Sequence, residues 1–351
     1  MSRRAESAPR LLWADALRSL CCLMIVALHV SAADWHTLPT GSADFWAATA
    51  VGSLTHPAVP VFFMLSGAFL LDRDPEPLPL LRRTGRLALL WAAMSAFYAL
   101  ELNGLGILRR PVYFLSLLLQ SRYHLWFLRT LVCLYLLVPV LRALVVWQEG
   151  RWVPWLLGVF LVFGVLRQTM GLVPVDARTW QSLRQVFVPE LCQYSGYFLL
   201  GWYLTRARPV PKWRPRVYML ALVLTWGVTL LGTWGWSVGA ESNDERMYAY
   251  LGLPVLVMSL CLFRLAQTRR ETGVLRALAR LSPLTLGIYV WHPLTIDLLL
   301  ELGIRTDWPR LLYIPAMTIP AFVLAGLLTR LLHGLRRAIG KIIEDRGRPV
   351  C

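Results

Sequence analysis

Arg18 and His29 are the residues whose types and spacing could do chemistry together. Both lie in the apolar run LLWADALRSLCCLMIVALHVSA, Leu11 to Ala32, with ten residues between them. At about 100° per residue that interval returns to nearly the same helix face, about 16 Å further along the axis. Asp15, three residues before Arg18, lies close to that face. An ionisable group in an apolar span costs roughly 2.5–3.5 kcal/mol on insertion scales, so it faces a polar cavity or a partner. Two readings follow. In one, the face does chemistry. In the other, Asp15 and Arg18 are an interfacial ion pair and His29 is a satisfied interior histidine.

Other residues of the same kinds recur along the chain. His56 is predicted at the depth of His29, at the outer end of a run containing Val59-Pro-Val-Phe-Phe-Met-Leu-Ser-Gly. Ser66 and Gly67 in that run read as small residues for close helix approach, since no base for a serine nucleophile is evident. Arg83 and Arg86, three apart, share a helix face. Guanidinium forks suit phosphate, and the competing reading is an arginine cluster that sets topology. Tyr123-His-Leu-Trp-Phe-Leu-Arg129 places His124, Trp126 and Arg129 at a membrane face, either as a sugar-binding mouth or as part of an aromatic belt. Gly196 and Gly201 read as packing. His292 lies mid-membrane before Pro293, which is expected to disturb the helix there, and the histidine either makes a hydrogen bond that stabilises the kink or lines a cavity.

The elements that must hold these residues are membrane helices. The chain is 57% hydrophobic, with mean hydropathy +0.53. Apolar runs near 20 residues, enough to cross a ~30 Å core, are expected at 11–32, 48–71, 84–102, 124–146, 152–170, 187–204, 215–236, 247–265, 281–300 and 309–333. The expectation is an all-α polytopic membrane protein with about ten spans, a single integral-membrane domain over 1–351. Residues 1–10 and 334–351 form cytoplasmic tails, and 111–120 is an interfacial or re-entrant piece. The N-terminal run is too long for a cleavable signal and acts as an anchor.

The net charge of +16 follows topology rather than nucleic acid. With the N-terminus in the cytoplasm, the inside segments hold 25 Lys and Arg against 9 outside, as the positive-inside rule requires. Anionic membrane lipid accounts for the rest. No nucleic-acid-binding signature appears. Five of six cysteines fall within spans, which disfavours disulfides, and no metal-ligand spacing appears.

Arg18-x10-His29, VPVFFMLSG, Arg83-x-x-Arg86, YHLWFL and LGIYVWHP, in this order over residues 11 to about 300, resemble the membrane-bound acyltransferase family 3. The YHLWF and VP-FFM-SG forms look most like the branch with the enterobacterial common antigen O-acetyltransferase. The resemblance implies an enzyme of the bacterial cytoplasmic (inner) membrane. Such an enzyme moves an acyl group, commonly acetyl from acetyl-CoA, onto a carbohydrate hydroxyl on the extracytoplasmic side, modifying cell-envelope polysaccharide. It implies His29 as base or acyl carrier and Arg18, Arg83 and Arg86 as ligands of coenzyme A phosphates. His56, His124, Trp126, Arg129 and His292 are then acceptor-site candidates, and no metal is needed. Relatives often have an arginine three or four residues before the Val-Pro, where this chain has His56, so that arginine's role is in doubt here. No esterase-like extracytoplasmic domain is apparent, so the acceptor arrives directly or through a separate partner protein. The competing class is a transporter or flippase, against which stands the lack of an internal broken-helix repeat.

Overall fold

Backbone groups in hydrocarbon have no water to bond, so runs this apolar must satisfy their own N–H and C=O groups as helices. A computed structural model describes residues 11–74, 76–172, 194–206, 213–240, 242–304 and 307–346. In chain order its helices are α1 (Leu12–Ala32), α2 (Ala43–Thr55), α3 (Ala58–Leu70), α4 (Pro77–Asn103), α5 (Pro111–Gln120), α6 (Trp126–Val146), α7 (Val153–Val159), α8 (Arg167–Met170), α9 (Ser195–Arg206), α10 (Pro215–Gly239), α11 (Leu253–Thr268), α12 (Gly273–Leu281), α13 (Thr285–Glu301) and α14 (Arg310–Arg346). A π-helical stretch, Phe160–Leu166, joins α7 to α8. Among the described residues every regular element is helical.

Local chemistry sets several helix starts. Pro77, Pro111 and Pro215 occupy first turns, where a missing N–H costs nothing. Ser42 and Thr272 cap α2 and α12 by accepting from Phe45 N and Leu275 N. Within the spans, hydroxyls bond their own helix: Ser53 to Thr49 O, Thr229 to Thr225 O and Thr329 to Ala325 O.

Eight helical segments are long and apolar enough to cross a membrane among the described residues. They correspond to eight of the ten expected spans. The expected span 84–102 lies within the 27-residue α4, but Arg82, Arg83, Arg86 and Glu101 make that helix less apolar than the eight. The expected span 187–204 falls partly outside the described residues, as do residues 1–10. The short apolar piece 111–120 is the ten-residue α5.

Three boundaries differ from expectation. The run 48–71 is two helices, interrupted at His56-Pro57, because Pro57 has no N–H to continue the ladder. The last helix continues past 333 through Arg346, so part of the expected tail is helical. The third is Pro293, which does not break α13: the helix runs through from Thr285 to Glu301. Proline removes the donor to the carbonyl four residues back, and His292 Nδ1 lies 2.7 Å from that carbonyl, Tyr289 O.

The described residues form two compact units. The first comprises Met1–Ala58, Trp213–Ala249 and Val257–Cys351; the second comprises Val59–Lys212 and Tyr250–Leu256. In the first, α1 packs against α2, α12, α13 and α14. Cys22 Sγ bonds Thr285 O at 3.4 Å, tying α1 to α13. Gly287 lets α13 approach Thr329 of α14, where a methyl group would overlap the threonine side chain. Thr295 Oγ1 donates across the same pair to Ala321 O at 3.0 Å.

In the second unit, α3 and α9 touch backbone to backbone at two glycines. Gly67 lies against the carbonyl of Phe198, and Gly201 against the carbonyl of Met64. Ser66 donates to Phe62 O at 2.9 Å, within its own helix. Both observations agree with the packing reading of these small residues. The described cysteines Cys21, Cys22, Cys133 and Cys261 are free thiols.

Candidate active site

The helical period puts Arg18 and His29 on one stripe of α1, and the neighbours of α1 complete two polar clusters there. At Arg18, Nη1 donates to Asp15 Oδ1 at 3.1 Å and to Ser282 Oγ at 3.2 Å. Ser282 Oγ in turn donates to the same Asp15 oxygen at 2.7 Å. Asp15 therefore orients Arg18 rather than His29. The Arg18 side chain is 32% exposed and Asp15 18%, so this pair keeps contact with its surroundings. Both contacts use Nη1, and the Nε–Nη2 edge takes part in neither. Ser282 was not foreseen: it lies in the turn between α12 and α13, and no pattern in sequence joins it to Asp15. Arg264, near the end of α11, is a further buried arginine of this unit, bonded to Gln267 Oε1 at 3.0 Å.

Toward the other end of α1 three imidazoles gather. The rings of His29 and His292 are stacked, with centroids 5.1 Å apart and planes 18° from parallel. His29 also interacts electrostatically with His56. His292 is fully buried, while His29 and His56 are partly accessible. His56 Nδ1 lies 2.6 Å from Gly52 O, and Tyr248 lies against the His56 ring at 4.5 Å.

A brace of loop residues holds the tyrosine. Trp35 packs edge-on to Tyr248 at 6.0 Å and donates from Nε1 to Thr49 Oγ1 at 2.9 Å. Asn243 donates to the carbonyls of Trp35 at 2.6 Å and Leu38 at 2.8 Å, and accepts from Thr40. Next to it, burial pushes the Asp244 carboxyl up, but hydrogen bonds from the Arg246 side chain and backbone outweigh this and hold it below the usual range. That pairing fixes the turn leading into Tyr248. Arg310, buried at the start of α14, donates its backbone N–H to Asp44 at 2.7 Å and sits 3.7 Å from Asp34, clamping the loop that carries Trp35. Tyr248, Trp35, Asn243 and Arg310 had no sequence signal beyond residue type.

The remaining candidates belong to the second unit. Arg83 and Arg86 are exposed on the first turns of α4. His124 is buried, with the ring of Tyr98 edge-on at 5.3 Å. Trp126 opens α6 and packs against Tyr194 and Tyr250, each at 5.4 Å. Arg129 is exposed, and its Nη1 donates to Leu119 O at 3.1 Å, capping the end of α5. The structure thus joins His29 to His56 and His292, and Arg18 to Asp15 and Ser282. His124, Trp126 and Arg129 line separate aromatic and capping contacts.

An imidazole cluster 16 Å or so along a helix face from an anchored arginine suits proton transfer at one end and anion binding at the other. Comparison with known sequences agrees with a transferase. A family model described as an acyltransferase domain, that of acyltransferase family 3, matches residues 11–330. Neither the curated proteins nor the solved structures gave a match. The matched stretch takes in both clusters and nearly the whole chain, which belongs to acyltransferase family 3 and is an integral-membrane acyltransferase.

Proposed function

We propose that the protein is an O-acyltransferase of the bacterial cytoplasmic membrane. It takes acetyl from cytoplasmic acetyl-CoA and transfers it to a hydroxyl of a cell-surface or lipid-linked carbohydrate on the extracytoplasmic side. The observation that carries this reading is the three-histidine cluster on the same α1 face as the anchored Arg18. A histidine titrates near neutrality and is the usual proton acceptor for such a hydroxyl. His29 takes the hydroxyl proton as the hydroxyl oxygen forms its bond to the thioester carbonyl carbon. The carbon–sulfur bond breaks, and the proton ends on the coenzyme A sulfur as the thiol.

Arg18, Arg83 and Arg86 receive the coenzyme's phosphates. The charge asymmetry of 25 against 9 supports a cytoplasmic position for all three. The exposed Arg83 and Arg86 are free of the desolvation that makes a buried guanidinium costly, and a phosphate can reach both forks. His56 and His292 of the first unit are candidates for contacts with the acceptor, and the resemblance offers His124, Trp126 and Arg129 of the second unit as candidates as well. The motifs of the enterobacterial common antigen O-acetyltransferase branch favour acetyl as the group and an envelope polysaccharide as acceptor. A separate extracytoplasmic partner protein is one route for acceptor delivery.

The test is to incubate membranes containing the protein with radiolabelled acetyl-CoA and follow label into envelope glycan. Label in ester linkage to glycan is expected; a transporter or flippase leaves none. In the same assay Arg83→Ala and Arg86→Ala are each expected to raise the apparent KM for acetyl-CoA about tenfold or more. That corresponds to losing a hydrogen bond to a charged group, worth about 1.5–3 kcal/mol. A constant donor KM with a rising acceptor KM contradicts the phosphate role.

A further inference from the structure

His292 and Pro293 form a unit whose two halves explain each other. Proline at 293 has no N–H, so the carbonyl four residues back, Tyr289 O, loses its helical donor inside an apolar span. His292 Nδ1 lies 2.7 Å from that oxygen. A carbonyl only accepts, so the ring must donate, and the neutral imidazole is held as the Nδ1–H tautomer. Its lone pair is then on Nε2. The ring is fully buried and stacked on His29 at 5.1 Å, so its orientation is fixed by packing as well. His56 has the same tautomer through a different contact: its Nδ1 lies 2.6 Å from Gly52 O, a carbonyl that also accepts the His56 backbone N–H at 3.1 Å, and this too puts the lone pair on Nε2.

We propose that His292 is a fixed hydrogen-bond acceptor at the acyl-transfer site, set by Pro293, and that His56 is a second one. Resting on the acyltransferase reading above, this assigns the acceptor's chemistry. Two imidazole nitrogens that only accept recognise a molecule rich in hydroxyl donors. His29 then takes the proton of the hydroxyl being acylated, while Nε2 of His292 holds a neighbouring hydroxyl of the same polyol. An acceptor presenting carboxylate or phosphate oxygens to these two atoms would meet lone pair against lone pair.

A purely structural role would leave His292 as a repair for the orphaned Tyr289 carbonyl. Two variants separate the alternatives. His292→Asn keeps a side-chain donor for the backbone, as Asn103 Nδ2 does for Ala99 O at 2.9 Å, but removes Nε2. The double variant His292→Ala with Pro293→Ala restores a backbone N–H to Tyr289 O and needs no repair. Both are expected to accumulate in the membrane while label transfer from radiolabelled acetyl-CoA falls about tenfold or more, the cost of leaving a buried hydroxyl without its acceptor. Near-native transfer by either variant overturns the proposal. Magic-angle-spinning spectra of 15N-histidine-labelled protein supply a readout independent of activity, with His292→Asn assigning the resonance. A protonated Nδ1 and bare Nε2 are expected for His292; a protonated Nε2 in the neutral ring overturns it. If the unaltered protein transfers no label, the acyltransferase reading falls and the role falls with it, while the spectrum still decides the tautomer.

Discussion

His29→Ala is expected to lower acyl transfer by about 10²- to 10⁴-fold, the usual cost of losing a proton-transfer group, while the protein still inserts and accumulates. Two features make the expectation specific. His29 is stacked on His292 and interacts electrostatically with His56. It also lies on the α1 face that carries Arg18. Removing the ring leaves the packing of α1 largely intact, because the residues that bury that helix are Leu17, Cys21, Cys22, Ile25, Val26 and Leu28. The measurement is label transfer per unit of membrane-inserted protein, compared with the unaltered chain. A well-expressed variant with near-normal glycan acylation rules out His29 as the base.

The largest effect on stability is expected at the α3–α9 contact. Gly67→Ala or Gly201→Ala puts a methyl group into the backbone carbonyl region of Phe198 or Met64. A backbone cannot change rotamer to make room, so the two helices must separate. Overpacking typically costs about 1–3 kcal/mol and more when nothing relaxes, against a total stability of about 5–15 kcal/mol. Each variant is therefore expected to lose most of its accumulation or several degrees of thermal midpoint in detergent. Gly227→Ala is the matched control, since a methyl group there meets nothing within 4 Å, and it should be neutral or mildly stabilising by helix propensity. Equal behaviour of all three variants contradicts the close-contact account.

Local periodicity explains how much of this was legible in advance. Eight of the apolar runs appear as helices near their expected bounds, because a hydrocarbon environment leaves a long apolar run no other way to satisfy its backbone. The Arg18–His29 face was readable because both residues are on one helix, where spacing fixes angle. The small residues Ser66, Gly67 and Gly201 were readable as packing because lipid gives no reason for them otherwise. Pro293 was legible in part: the helix runs through it, and the 2.7 Å contact of His292 Nδ1 with Tyr289 O is the hydrogen-bonding one of the two roles that residue order offered for His292. The run expected at 84–102 is also a helix, inside α4, and its flanking arginines belong to the same helix.

The sequence by itself determined the class of protein, the place of most helices along the chain, and the pair of ionisable residues on α1. These are properties of single helices, and a single helix is governed by composition and by its period. Only the tertiary structure decided what those residues meet. Ser282 joins Asp15 and Arg18 across 267 and 264 positions of chain, His292 comes to stack on His29, and Asn243 reaches back to the loop at Trp35. Such meetings depend on which helix faces are packed together, and packing is set by the summed fit of many side chains rather than by the spacing of any two.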